Sequence, residues 1–212
     1  MKKISEINPP VKFFKNPILN SLSHTSLSTV IIIFTPVALY FLFQSYKHHS
    51  VFAIILAALL GLFLWSFVEY ITHRFTFHFK LNNKKLKYLH SIFHLAHHVY
   101  PHDKTKYQAL LILTLPAGIL YYFIFNMIFG ALSEPIFAGF ITGYIIYEYV
   151  HFSSHKLNLP SKISKRLKQH HMRHHYFDDS KNFGVTTSLW DHVFNTYLHP
   201  DKMRQSAKDS LG

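Results

Sequence analysis

Cysteine is absent from the 212-residue chain, which excludes disulfides, thiolate zinc sites, iron–sulfur clusters and a thiol nucleophile. Charge is scarce: 15% of the residues are Asp, Glu, Lys or Arg, against roughly 25% in an average soluble domain. Acidic residues are scarcest, 10 against 22 basic ones, giving a formal charge of +12. Recognisable nucleic-acid-reading motifs, internal repeats and low-complexity tracts are also missing, so no nucleic-acid partner is expected. A chain this poor in polar surface does not read as a soluble cytoplasmic enzyme. Its length suits one domain.

What the chain has instead is long uncharged runs. Leu27–Tyr46 holds 20 residues without a charge, Val51–Val68 holds 18, Tyr107–Ser133 holds 27 and Pro135–Tyr147 holds 13. A helix needs about 20 apolar residues to cross roughly 30 Å of hydrocarbon. The first two runs therefore predict one span each, joined by Lys47-His48-His49-Ser50. The other two predict a second hairpin over 108–129 and 131–150, turning between Gly130 and Pro135. Pro36 and Pro116 fall inside these helices, where neighbouring helices satisfy the carbonyls that proline releases. A signal peptide does not fit the first run, because 26 residues precede it and no small-residue cleavage pattern follows. The Gly139-x-x-x-Gly143 pair permits close helix approach but is common by chance and carries no inference alone.

The expected organisation is a lead-in over 1–26, a membrane catalytic domain over 27–200 and a polar tail over 201–212. With four spans, segments 1–26, 73–106 and 151–212 share one face of the membrane. They hold 21 of the 22 Lys and Arg residues, and only Lys47 lies opposite. That asymmetry places both termini in the cytoplasm by the positive-inside rule. Anionic headgroups account for the basic excess.

Most of the 18 histidines fall into four groups on that same face. The first is His73 and His78, following Glu69. The second is His90, His94, His97 and His98, with Asp103 after them. The third is His151 and His155, following Glu148. The fourth is His170, His171, His174 and His175, with Asp191 downstream. Partners three or four apart share a helical face, so His94 with His97 and His98, His151 with His155, and His171 with His174 and His175 each point into one cavity. His73 and His78 are five apart, about 140° around a regular helix. They meet one site only if the helix ends or bulges between them.

So many protonated imidazoles in one place would repel one another, whereas metal ligation uses the neutral ring. Ten or more such ligands exceed the needs of one ion, so two metals are implied. Imidazole suits iron, zinc, copper and nickel alike. Glu69, four residues before His73, and Glu148, three before His151, are placed to accept the outer N–H of a ligand ring. The alternative for each is an interfacial or helix-end charge. Asp103 and Asp191 have the same candidate role. The isolated His24, His48, His49 and His199 read as ordinary surface residues.

From about Trp65 to Thr196 these residues resemble the fatty acid hydroxylase superfamily of membrane histidine-box enzymes. The branch most similar is the fatty acid 2-hydroxylases. The motifs are His73-Arg-x-x-x-His78, His94-x-x-His97-His98 with Pro101-x-Asp103, His151-x-x-x-His155 and His170-His171-x-x-His174-His175. Phe183-Gly184-Val185-Thr186 and Trp190-Asp191-x-x-Phe194-x-Thr196 resemble the closing motif. Sterol desaturases and methyl oxidases usually space the first pair by three residues rather than four.

The resemblance implies an all-α integral membrane fold of four transmembrane helices under a cytosolic helical cap that encloses a dimetal site. It implies ten metal ligands: His73, His78, His94, His97, His98, His151, His155, His171, His174 and His175. His90 and His170 match neighbouring histidines that are not ligands. The implied chemistry is hydroxylation of carbon 2 of a long-chain fatty acyl group, free or ceramide-linked, with O2 as co-substrate. Iron is expected for catalysis, with zinc as a possible occupant. Electrons are expected from a separate donor, a b-type cytochrome or ferredoxin-like protein, and the location is the endoplasmic reticulum or a bacterial inner membrane. Lys104-Thr-Lys106-Tyr107 replaces the family's usual Arg and paired prolines, and Asn195 stands where glycine is common. The rival readings are a sterol or carotenoid hydroxylase or desaturase of the same superfamily, and a histidine-rich metal transporter. Transporters tend to place ionisable ligands near the bilayer midplane, whereas these histidines lie at span ends.

Overall fold

The computed structural model describes residues 15–17, 20, 25–78 and 109–199. Among the described residues the fold is all-helical, without strands. Helix α1 spans Leu27–Tyr46 and α2 spans Val51–Ile71, continuing as a π-helical turn over Thr72–Phe77. Helix α3 covers Leu111–Phe129, a 3₁₀ turn covers Gly130–Leu132, and α4 covers Ser133–Lys156. The amphipathic α5 (Lys162–Tyr176) and the short α6 (Leu189–Val193) follow. His90, His94, His97, His98 and Asp103 lie outside the described residues.

Helix starts follow from serine caps. The Ser26 hydroxyl accepts the Thr29 amide at 3.1 Å, Ser50 that of Ala53 at 3.3 Å, and Ser161 that of Ser164 at 3.0 Å. Each bond satisfies an N–H that has no partner within the helix.

Three helical stretches are long and apolar enough to cross a membrane: Leu27–Tyr46, Val51–Phe77 and Leu111–Lys156. The last is folded in two at Gly130, whose φ of +54° suits a residue without a Cβ. Beyond it α4 runs back along α3, bringing Tyr121 against Phe140 (4.9 Å between ring centroids) and Phe125 against Phe140 at 5.1 Å. The His49 ring bonds the Ala131 carbonyl at 2.8 Å, so both hairpin turns meet at one end of the bundle. The far ends of α2 and α4, which carry the histidines, lie together at the other. Outer faces are apolar and open, with Met127 87% exposed, the inverse of a soluble protein and the pattern that lipid solvates.

Helix α4 is the central element, buried along most of its length. It packs on α2 with backbones in direct contact. A Cβ on Gly139 would fall 2.0 Å from the Ala58 carbonyl oxygen, and one on Gly61 would fall 1.9 Å from that of Ile136. The Trp65 side chain lies against Gly143 in the same seam. The Gly139-x-x-x-Gly143 pair is thus the surface on which α2 is seated, since small residues let helices approach closely in lipid.

Candidate metal centre

Three elements converge on the histidine end. The π-helical turn at the end of α2 carries His73 and His78. Its i→i+5 bonding accommodates one residue more per turn than an α-helix, which brings residues five apart back to one side. The two rings come within 5.1 Å, centroid to centroid. Helix α4 continues through His151 and His155, and α5 carries His170, His171, His174 and His175.

The described imidazoles form two groups. His151, His155, His171 and His175 present nitrogen atoms within 4.8 Å of one another, and so do His73, His78 and His174. Within the first group the His155 and His171 Nε2 atoms are 2.9 Å apart, and His171 and His175 have ring centroids at 4.5 Å. Within the second, His78 and His174 Nε2 are 3.0 Å apart and the His73 and His174 rings are at 4.5 Å. Nitrogens bound to a shared ion at about 2.0–2.1 Å lie roughly 3 Å from each other. Helix α5 divides its histidines between the groups, giving His171 and His175 to one and His174 to the other. The donor set is all imidazole, the spacing fits first-row transition ions, and the grouping fits two of them.

Backbone carbonyls fix the tautomers. His73 Nδ1 donates to the Phe183 carbonyl at 2.5 Å and His174 Nδ1 to that of Lys181 at 2.7 Å. Each ring therefore offers Nε2 to its group, an arrangement common for ligating histidines. Burial pushes the His171 imidazole well below its ordinary pKa, and nearby His175, His151, His155 and His174 push it the same way. The ring is neutral, the form that binds a metal.

The carboxylates act one step further out than their sequence positions predict. Among the described residues Glu69 holds no histidine. One of its oxygens accepts the Val185 amide at 2.6 Å and the Thr186 amide at 2.9 Å, and the other accepts the Thr186 hydroxyl at 2.5 Å. Glu148 accepts the Ala109 amide at 2.9 Å, ahead of α3. Asp191 is wholly buried and accepts the Phe183 and Gly184 amides at 2.9 Å each and the Thr196 hydroxyl at 2.7 Å. Its other neighbour is His170, whose Nε2 is 3.0 Å from Oδ2; His170 belongs to neither histidine group. Burial would raise the Asp191 carboxyl, but the bonds from His170, Thr196 and Gly184 hold it below its ordinary value. Glu69 and Asp191 thus pin the 183–186 loop, and that loop supplies the carbonyl that orients His73.

Two asparagines have positive φ, Asn182 at +56° just before this loop and Asn195 at +55° just after α6. Asparagine tolerates the left-handed region better than any β-carbon residue except aspartate and histidine. Asn195 meets a backbone demand that glycine would also meet. Sequence reasoning missed Lys181 and the carbonyl role of Phe183, because a main-chain acceptor leaves no trace in residue type.

Beside the histidines an apolar cleft of about 400 Å³ opens between α2 and α3, with α4 as its back wall. Its rim includes Glu69, Thr72, Thr76 and Tyr147, and the Tyr147 ring stacks on His151 at 5.7 Å. From there it descends between Leu113, Trp65, Phe140 and Tyr121.

Comparison with known proteins accords with this geometry. A model of the fatty acid hydroxylase family matches residues 58–196. A dihydroceramide fatty acyl 2-hydroxylase of Arabidopsis thaliana is 32% identical over 87% of this chain and 79% of its own length. The human fatty acid 2-hydroxylase is 32% identical over 92% of this chain but 59% of its own length. The ceramide very long chain fatty acid hydroxylase of Saccharomyces cerevisiae is 35% identical over 86% of this chain and 48% of its own. The chain thus spans little more than half of the human relative. A solved structure of full-length scs7p, with only the hydroxylase domain visible, superposes with a TM-score of 0.81 at 33% identity, covering 89% of this chain and 72% of that one.

Proposed function

The chain belongs to the fatty acid hydroxylase family, and from that membership we propose that it is a membrane-bound dimetal monooxygenase. Its reaction is insertion of one oxygen atom at carbon 2 of a long-chain fatty acyl group, free or ceramide-linked. The observation that carries this reading is the division of seven imidazoles into two groups, each of which could hold one ion. Relatives named for 2-hydroxylation of fatty acyl and dihydroceramide chains favour it over sterol or carotenoid oxidation.

His151, His155, His171 and His175 would hold one metal, and His73, His78 and His174 the other. His94, His97 and His98 complete the proposed set from outside the described residues. Iron is the proposed catalytic metal, with zinc as an alternative occupant. When bound, the pair supplies the O2 activation and electron storage that breaking an unactivated C–H bond requires. The protein's part is positional. The Phe183 and Lys181 carbonyls hold their rings in one tautomer, Glu69 and Asp191 hold the loop, and the cleft rim presents apolar surface beside the histidines. Electrons would come from a redox partner, a b-type cytochrome or ferredoxin-like protein.

The proposed topology is two hairpins with four spans, α1 to α4, with both termini and the histidine groups on the cytoplasmic face. The fold of Leu111–Lys156 back on itself and the concentration of Lys and Arg in the segments at the histidine end support it. The membrane would be the endoplasmic reticulum in a eukaryote or the inner membrane in a bacterium. The decisive experiment is aerobic expression followed by lipid mass spectrometry. A gain in 2-hydroxy acyl chains that disappears in the His171→Ala variant supports the reading, and an unchanged lipid profile overturns it.

A further inference from the structure

The cleft beside the histidines has an unusual wall. On α3 its lining residues include Leu113, Ala117, Gly118 and Tyr121, a stripe at helical spacing. All but one present a side chain. A Cβ built on Gly118 meets no atom within 4 Å, whereas one on Gly61, Gly139 or Gly143 of the α2–α4 seam would collide within 2.6 Å. Those three glycines are required by packing. Gly118 is not, and a glycine inside a helix is less stable there than alanine. What it leaves is open volume, opposite Trp65 and one turn from Tyr121, whose ring closes on Phe140 at 4.9 Å.

We propose that Gly118 sets the length of acyl chain this protein accepts, by keeping the inner end of the cleft open to the distal methylenes of the substrate. The inference rests on the acyl-hydroxylase reading above and adds a residue that governs its selectivity. Three observations carry it. The cleft begins at Thr72, Thr76 and Tyr147, next to His73 and His151 in the chain and in space, so a chain with carbon 2 at the histidines has its tail directed inward. Gly118 lies seven residues beyond Leu111, the first residue of α3, about 10 Å deeper at 1.5 Å per residue, within one leaflet of a roughly 30 Å core. Finally, the lining is mostly apolar and includes Phe34, Phe137, Phe140 and Ile141, which suit a saturated tail.

The absence of cysteine makes a clean test available. In Gly118→Cys the thiol is unique and projects into the open volume, where methyl and hexyl methanethiosulfonates attach groups of graded size that a reductant removes. Purified protein with a redox donor is given an equimolar mixture of acyl chains of increasing length, before and after labelling, and the 2-hydroxy products are weighed by mass spectrometry. Hexyl labelling should lower the longest-to-shortest product ratio about ten-fold or more, as expected for displacing about two buried methylenes. Methyl labelling should lower it less, and reductant should reverse both. A cysteine at the outward-facing Ile119, 61% exposed, should label without changing the ratio. An unchanged ratio in fully labelled Gly118→Cys overturns the proposal, and so does a thiol there that refuses label while the one at position 119 accepts it. If the parent protein forms no 2-hydroxy product at all, the acyl-hydroxylase reading itself fails. That outcome is separate from a product whose length distribution ignores Gly118.

Discussion

His73 donates its Nδ1–H to the carbonyl of Phe183, 110 residues away in the chain. One hydrogen bond thereby ties the end of a membrane helix to a loop that is itself held by two buried carboxylates. The orientation of the ring thus depends on Glu69 and Asp191 through the loop that carries its acceptor.

The loop is therefore the first place to perturb. Glu69→Ala removes the acceptor for two amides and a hydroxyl in a buried setting, at a cost of about 1–3 kcal/mol for groups left unsatisfied. Hydrogen exchange at Val185 and Thr186 should accelerate, and the thermal midpoint in detergent should fall. His73 would lose its fixed tautomer, so bound metal should fall as well. Parent-like exchange at both amides would show that Glu69 does not hold the loop.

The two histidine groups should be separable by metal count. His174→Ala and His171→Ala each remove a ring from a different group, so each should lower bound metal and abolish 2-hydroxylation. The combined variant should lose more metal than either alone. His199, exposed and outside both groups, serves as the control, and its alanine variant should retain metal and activity. Elemental analysis beside product analysis checks all four proteins, and full metal retention in both single variants would remove these ligand assignments.

The π-helical turn yields a less intuitive outcome. It absorbs one extra residue between His73 and His78, and a regular α-helix already places residues four apart on one face. Deleting Phe75, half-exposed on this turn, should convert Thr72–Phe77 to α-helix and keep both rings in register. Metal content should survive the deletion, whereas insertion of an alanine after Phe75 should reduce it. Elemental analysis of both variants decides the matter, and metal loss in the deletion alone would refute the register argument.

The sequence was most informative where a property repeats along the chain. Uncharged runs predicted helices beginning at Leu27 and Val51, and both start there because Ser26 and Ser50 cap them. The need for a bulge between His73 and His78 was legible from spacing alone, and a π-helical turn meets it. Helix α4 runs to Lys156 rather than stopping near 150, which places His151 and His155 on one continuous helix. The carboxylates were not legible. Proximity in sequence suggested that Glu69 served His73 and Glu148 served His151, yet both bind backbone amides contributed from elsewhere in the fold. Nor does periodicity separate a glycine pair that seats a helix from one present by chance, because the distinction depends on what lies opposite. Ala58 and Trp65 supply it only in three dimensions.

That seating bears on how the protein tolerates its solvent. Helices held by long side chains can slide as a bilayer thickens or thins, but α2 and α4 touch backbone to backbone at Gly61 and Gly139 and have no slack for sliding. A change in hydrocarbon thickness is accommodated by tilting, and these two helices must tilt as a single strut. The imidazoles at their shared end would then keep their mutual distances while the strut leans, whatever the lipid around them.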